Sequence, residues 1–328
     1  MDRRVLMLSV LSVAAVPTSA ASQPARRVPR IGVLWHAGSE AEEAQFLAAF
    51  RQGLNDFSLV DGRNVLIENR FPAEQYERFN GFAAELIAQN VDVLVAVTPP
   101  AALAAQRATG TVPVVFILVP DPVKMKLVRS LAYPGGNMTG LSQIGLDIMG
   151  KQLELLSQVV PNMRRVGILA NPGNGEVHRQ YVEAVNEAAR PLGIAVDPVE
   201  MVSTPDAIEG TFDSYGRNKA DGLIVLADGL FFNERKRIAE LALKARIPSI
   251  FLPMQYAEAG GLMSFGPNLA AMFRRAGYYV SKILEGTKPA DLPVELPTRY
   301  TLAINLQTAK KLGLVIPQAV LLRADSTL

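Results

Sequence analysis

The sequence predicts an α/β protein of two similar doubly wound parallel-sheet lobes joined by a multi-segment hinge. Continuous apolar runs such as Val91–Val97 and Val112–Val119 have the length and Val/Ile/Leu content of strands covered on both faces. The chain also repeats itself. Arg30-Ile31-Gly32-Val33-Leu34 returns as Arg165-Val166-Gly167-Ile168-Leu169, an offset of 165 − 30 = 135. Val112-Pro113-Val114-Val115-Phe116 returns as Ile247-Pro248-Ser249-Ile250-Phe251 at the same offset. Between them, Val91-Asp92-Val93-Leu94-Val95 matches Ala220-Asp221-Gly222-Leu223-Ile224 at 220 − 91 = 129. Preserved order at nearly constant offset points to two copies of one strand–helix unit.

The elements follow in order. Arg3 and Arg4 precede the apolar stretch Val5–Val16 and the small-residue stretch Pro17-Thr18-Ser19-Ala20-Ala21. That is the pattern of a secretory signal over residues 1–21, cleaved after Ala20 or Ala21. The apolar stretch is shorter than the roughly 20 residues a helix needs to span a bilayer. The first lobe takes residues 29–140 plus about 260–298, and the second takes 141–259 plus about 299–328. After the first strand, Phe46, Phe50, Leu54 and Phe57 form one stripe of an amphipathic helix; Tyr181, Val185, Ala188 and Leu192 form its counterpart. A third stripe, Met272, Ala276, Tyr279 and Ile283, leaves Arg274, Arg275 and Lys282 for solvent. Gly260–Phe265 reads as an additional strand. Its return to the first lobe would make the chain cross between lobes near 140, 260 and 298, a hinge and not a single linker.

Composition narrows the chemistry. The 328 residues carry 33 Lys and Arg against 31 Asp and Glu, so no basic surplus exists to hold nucleic acid. Loss of residues 1–21 removes two Arg and one Asp, taking the net charge from +2 to +1. There is no cysteine, which excludes disulfides, thiolate catalysis, cysteine-ligated metals and a lipid anchor on an N-terminal cysteine; two histidines exclude a multi-histidine metal site. No dinucleotide, Walker A or nucleophile-elbow pattern occurs, and no cofactor is expected. The balance shifts from catalysis towards binding.

Parallel sheets bind ligands beyond the C-terminal ends of their strands. The residues there are Trp35 and His36, Thr98 and Asp121 in the first lobe, and Asn171, Asn174, Asp228 and Gln255 in the second. Thr98-Pro99-Pro100 has the form of a helix start, where a capping hydroxyl and the dipole favour a carboxylate. Asp121 and Asp228 can accept a bond from a ligand amine or hydroxyl, or cap the following turn. Trp35 can stack on a ligand ring or pack against a helix.

One family matches in detail. Asp121-Pro122-Val123, the run Leu127-Val128-Arg129-Ser130-Leu131-Ala132-Tyr133-Pro134-Gly135-Gly136-Asn137-Met138-Thr139-Gly140, the segment Gly260–Ser264 and the tail from Ala290–Glu295 to Asn305–Pro317 resemble ABC-transporter substrate-binding proteins of the tryptophan/tyrosine-binding (TrpX-like) group. The resemblance runs from about residue 29 to the C-terminus. It implies a type I periplasmic-binding fold with a three-segment hinge, and a monomeric periplasmic receptor. The implied partners are a small-molecule solute and an inner-membrane ABC permease with its cytoplasmic ATPase. One departure stands out: Lys124-Met125-Lys126 occupies a place where a Gly- and Ala-rich run is expected. An exported two-lobed enzyme acting on a similar small acid is the alternative, as is a ligand-sensing partner of a membrane receptor.

Overall fold

The computed structural model describes residues 27–143 and 145–328. The signal segment expected over residues 1–21 lies outside the described residues. The first lobe begins β1 (Arg30–Leu34), α1 (Ala44–Asn55), β2 (Leu66–Arg70), α2 (Tyr76–Ala88), β3 (Val93–Val97), α3 (Thr98–Ala108), β4 (Val114–Val119) and β5 (Met138–Ser142). Its five strands are all parallel in the order β2-β1-β3-β4-β5. The chain then forms α4 (Asp147–Val159), β6 (Arg165–Ala170), α5 (Gly175–Ala189), β7 (Ala195–Met201), α6 (Ile208–Arg217) and β8 (Gly222–Val225). It continues through α7 (Gly229–Asn233), α8 (Arg235–Lys244), β9 (Ser249–Phe251), α9 (Gln255–Glu258) and β10 (Met263–Pro267). The last elements are α10 (Leu269–Leu284), β11 (Tyr300–Ile304), α11 (Leu306–Leu312), α12 (Gln318–Leu321) and β12 (Ser326–Thr327).

The second sheet runs β7-β6-β8-β9-β10-β11-β12. Its first five strands repeat the order of the first sheet, with β6 in the place of β1 and β10 in the place of β5. Register repeats too: Ile31 pairs with Val93, and Val166, offset from it by 135, pairs with Gly222. Alternate residues of β3 and β4 point to opposite faces, yet all are buried, because helices cover both sides.

The strand near 262 does not return to the first lobe. β10 pairs in parallel with β9 and antiparallel with β11, completing the second sheet. What crosses over is the next helix. α10 packs on α1 of the first lobe, with Met272, Phe273, Ala276, Tyr279, Val280 and Ile283 in the same core as Phe46, Phe50 and Leu54. A Cβ on Gly53 would overlap the backbone of Arg274, and one on Gly277 would overlap that of Gly53, so the crossing needs both glycines. α4, which follows β5, makes the reciprocal move onto α5 and the second core, where buried Gln152 donates to the Phe265 carbonyl at 3.0 Å. Each sheet therefore carries a helix that follows the other's last strand. The chain crosses once after β5, once after β10, and once more before β11.

The expected stripes are buried through their central residues. Phe46, Phe50 and Leu54 are core, whereas Phe57 lies past the end of α1 and is 38% exposed. Tyr181 and Val185 are buried, while Leu192 lies beyond α5 and is exposed. Among the described residues no helix is long and apolar enough to cross a membrane.

Candidate functional site

The C-terminal ends of β1, β3 and β4 face those of β6, β8 and β9 across a cleft, and the two lobes touch there. The rings of Phe46 and Phe232 lie 5.7 Å apart, and Gly173 packs so closely on the Tyr76 ring that a Cβ would overlap it. The inner part of the cleft is lined by His36, Phe46, Glu74, Tyr76 and Thr98 from one side and Asn174, Asp228, Phe232 and Tyr256 from the other. It shares Tyr76, Pro99, Pro100, Asn174 and Tyr181 with an outer cavity of about 680 Å³, within the range of small-molecule sites. Asp121, Lys124 and Met125 line that outer part, so the departure at 124–126 falls on its wall.

In the first lobe the site is built around His36. Its imidazole is 6% exposed and lies between two carboxylates: Nδ1 is 2.7 Å from Glu74 Oε1 and Nε2 is 3.1 Å from Glu43 Oε1. Burial alone would lower its pKa; the two glutamates outweigh that and hold it at about 9, so the ring is an imidazolium at neutral pH. Burial raises both glutamates, and the imidazolium partly offsets this. The loop carrying Glu74 is held by backbone bonds from Ala73 N to Ala37 O (3.0 Å) and from Glu74 N to His36 O (2.9 Å). Ala73 and Glu74 adopt φ of 56° and 58°, a conformation costly for residues with a Cβ.

Asp228 organises the second lobe. It caps α7 by accepting from Leu230 N at 3.0 Å, and it receives the side-chain amides of Asn171 (3.0 Å) and Asn174 (2.5 Å). Asn171 also donates its backbone N–H to His178 Nδ1 at 2.8 Å. That leaves the proton of His178 on Nε2, which donates to the Ala227 carbonyl at 3.0 Å. Burial lowers the His178 pKa, so this histidine stays neutral.

Of the eight residues expected at the site, His36, Thr98, Asn174 and Asp228 line the inner cleft, and Asp121 and Asn174 line the outer. The Asp121 side chain accepts from Lys124 N at 2.9 Å and so serves its own turn. Three residues are elsewhere. Trp35 is fully buried in the first core, stacked on Phe273 (5.5 Å) and Phe71 (6.3 Å), with its indole N–H donating to Asn69 Oδ1 at 2.8 Å. Asn171 is 2% exposed, and its polar atoms are used by Asp228, Gly173 and His178, so it supports the site from behind. Gln255 opens α9 but does not line the cleft; Tyr256, about 100° further round the helix, does.

Thr98 departs from expectation in another way. α3 begins at Thr98, yet the hydroxyl caps nothing; Oγ1 is buried without a hydrogen-bond partner. Its φ of +78° is an outlier for a β-branched residue. Pro99 and Pro100 lack N–H groups and remove two of the donors an ordinary helix start leaves unpaired.

Glu43, Glu74, Tyr76, Phe232 and Tyr256 are absent from the sequence-based set. Glu43 left a signal: it sits three, four and seven residues before Phe46, Leu47 and Phe50, a carboxylate just ahead of α1 and in line with its buried stripe. Glu74 lies in a loop without a motif.

With this geometry in hand, the comparisons decide the family. The family model described as ABC transporter substrate binding protein matches residues 39–328. The chain belongs to that family. A protein of Clostridioides difficile (strain R20291) named "Tyrosine-binding protein" is 28% identical over 268 residues, 81% of this chain and 75% of the relative. A crystal structure of an ABC domain from Streptococcus pneumonia in complex with L-Trp has a TM-score of 0.83 at 26% identity, covering 92% of this chain and 99% of that one. The ligand-free, open structure of a substrate binding protein with adhesive properties from Clostridium difficile scores 0.66 at 26% identity over the same shares. The chain thus superposes more closely on the L-Trp complex than on the ligand-free, open structure. The chain is an ABC-transporter substrate-binding protein with two parallel-sheet lobes. Proteins of this family act outside the cytoplasm on small-molecule ligands.

Proposed function

We propose that the protein captures an aromatic amino acid in the interlobe cleft and delivers it to an inner-membrane ABC permease driven by a cytoplasmic ATPase. The observation that carries this reading is the lining of the inner cleft, where the rings of Phe46, Tyr76, Tyr181, Phe232 and Tyr256 surround a small set of polar groups at the strand ends. Aromatic walls bury a ring, and the polar set fixes its orientation. The tyrosine- and L-Trp-binding relatives support the same class of ligand. The ligand carboxylate is assigned to the Thr98 end, where a buried hydroxyl lacks a partner and the α3 dipole favours an anion.

On this reading the protein is a binder and not an enzyme, acts as a monomer, and reaches the periplasm after cleavage following Ala20 or Ala21. Closure of two rigid lobes on a hinge then presents a joint surface to the permease. Mass spectrometry of ligand released by denaturing the purified protein tests it. Unmodified tyrosine or tryptophan is the expected result. A non-aromatic solute would overturn the ligand class, and turnover of the bound compound would favour the enzyme. N-terminal sequencing of exported material should give Ala21 or Ser22 as the first residue.

A further inference from the structure

The outer cavity takes no part in the capture of a free amino acid, yet it is the larger space. It holds about 680 Å³ against about 70 Å³ for the inner part, and the two join along Tyr76, Pro99, Pro100, Asn174 and Tyr181. Its walls are mostly apolar, with Leu103, Met125 and Leu131 from the first lobe and Leu146 and Val177 from the second. Two cations stand on the first-lobe wall. Pro99, Leu103 and Arg107 recur at spacings of four on one face of α3. The Arg107 guanidinium donates from Nε and Nη2 to Asn80 Oδ1 at 3.0 and 2.8 Å, a neutral partner that leaves its charge uncompensated. Lys124 belongs to the segment that departs from the family pattern. That loop is fixed, because Lys124 N donates to Asp121 Oδ1 at 2.9 Å and Gln106 Nε2 donates to the Lys126 carbonyl at 2.7 Å. A Gly- and Ala-rich run would supply neither the ammonium nor the Met125 side chain. Of the acids on the cavity, Asp121 serves its own turn, Glu176 is paired with Arg179 at 2.8 Å, and Asp147 stands on the second-lobe side.

We propose that the outer cavity is a second subsite, which takes the C-terminal residue of a dipeptide whose first residue is aromatic and whose second is apolar. This rests on the aromatic amino acid reading and lengthens the solute by one residue. The join at Pro99 and Pro100 adjoins Thr98, the end assigned to the solute's carboxyl group, so a peptide extension leaves the inner cleft through that opening. The unpartnered Thr98 hydroxyl can donate to a peptide carbonyl as it can to a carboxylate. Arg107 lies 107 − 98 = 9 residues further on, about 13 Å along the α3 axis and out of reach of a free amino acid held at Thr98. A second residue adds about 3.5 Å of extended chain. Its carboxylate is carried towards Arg107 and Lys124, while its apolar side chain meets Leu103 and Met125.

Isothermal titration with L-tyrosine, the dipeptide Tyr-Leu and its C-terminal amide tests this. The wild-type protein is expected to bind all three, with the amide about 10-fold weaker than the free dipeptide. That is the lower end of the range for losing a hydrogen bond to a charged group, because both cations reach solvent. Arg107→Ala and Lys124→Ala should each narrow the gap between dipeptide and amide, whereas a merely structural role would weaken all three ligands alike. If tyrosine binds and Tyr-Leu does not, the second subsite is wrong and the aromatic reading stands. If Tyr-Leu and its amide bind equally, no cation receives the carboxylate and the second subsite is again wrong. If none of the three binds, the aromatic reading fails and the second subsite fails with it. The wild-type comparison decides the matter even where a variant does not fold.

Discussion

The two lobes share a strand order but furnish their cleft edges by different electrostatics. His36 and Asn171 occupy equivalent places, one residue past a Trp or Ala that follows or ends the first strand of each copy, at the repeat offset of 171 − 36 = 135. Each holds a carboxylate of its own lobe towards the cleft: His36 holds Glu74, and Asn171 holds Asp228. The first does so with a charge, kept ionised by a second buried acid; the second does so with a neutral amide and a cap. One position in a repeated scaffold thus meets the same need in two ways, and only the charged version ties stability to pH.

Breaking the charged version has the largest expected effect. His36→Gln leaves Glu43 and Glu74 buried without a counter-ion, and loss of one partner of a buried pair costs about 3–5 kcal/mol. Urea unfolding at neutral pH measures it. The sign of the pH dependence follows from the raised pKa. The stabilisation from the His36 proton is fully present below the unfolded value of 6.5 and is lost as pH rises through about 9. The wild-type melting temperature should fall across that window, and the fall should be shallower in His36→Gln. A parallel slope in both proteins would show that another group governs it.

The helix crossing comes next. Gly277→Val forces α10 away from α1, and overpacking of this kind costs about 1–3 kcal/mol or more. The equivalent change at Gly150 of α4, where a Cβ meets only the Ala188 methyl at 3.3 Å, should cost less. Equal losses in calorimetry would mean that the two exchanged helices are packed with the same tolerance. In the neutral version of the clamp, Asn171→Ala removes a bond to Asp228 and one to Gly173, for about 1–2 kcal/mol with no new pH dependence. The smallest change has the opposite sign. Thr98→Gly relieves a positive φ and loses no cap, so it should stabilise the ligand-free protein by up to about 1 kcal/mol while weakening ligand binding. A lower melting temperature would show that the hydroxyl supports the fold.

The sequence made the lobes legible because strands covered on both faces must be apolar throughout, and the copies at β1 and β6 or β3 and β8 kept that pattern in order. The partner of β10 was not legible. Met263–Pro267 suits either sheet, and the choice is made by edge pairing with β9 and β11, far from any local signal. At the site, the strand ends pointed to His36, Thr98, Asn174 and Asp228, and these four line the inner cleft. Trp35 misled because an aromatic after a strand can turn to the cleft or to the core, and Phe71 and Phe273, remote in sequence, decide between them. Glu74 was not legible because its place in the cleft comes from a loop folded back onto β1 and from Gly229 on the other lobe.

The exchange of α4 and α10 bears on how the chain is made. During synthesis the first lobe has all its strands once residue 142 has emerged, but the helix that covers Phe46, Phe50 and Leu54 is finished only at residue 284. The interval is 284 − 142 = 142 residues, on the order of ten seconds at ribosomal speeds of about 5–20 residues per second. Throughout it the nascent lobe leaves an apolar helix face uncovered and cannot close into a finished domain. The order in which its parts leave the ribosome thus keeps the first half of the polypeptide pliable until the second half exists.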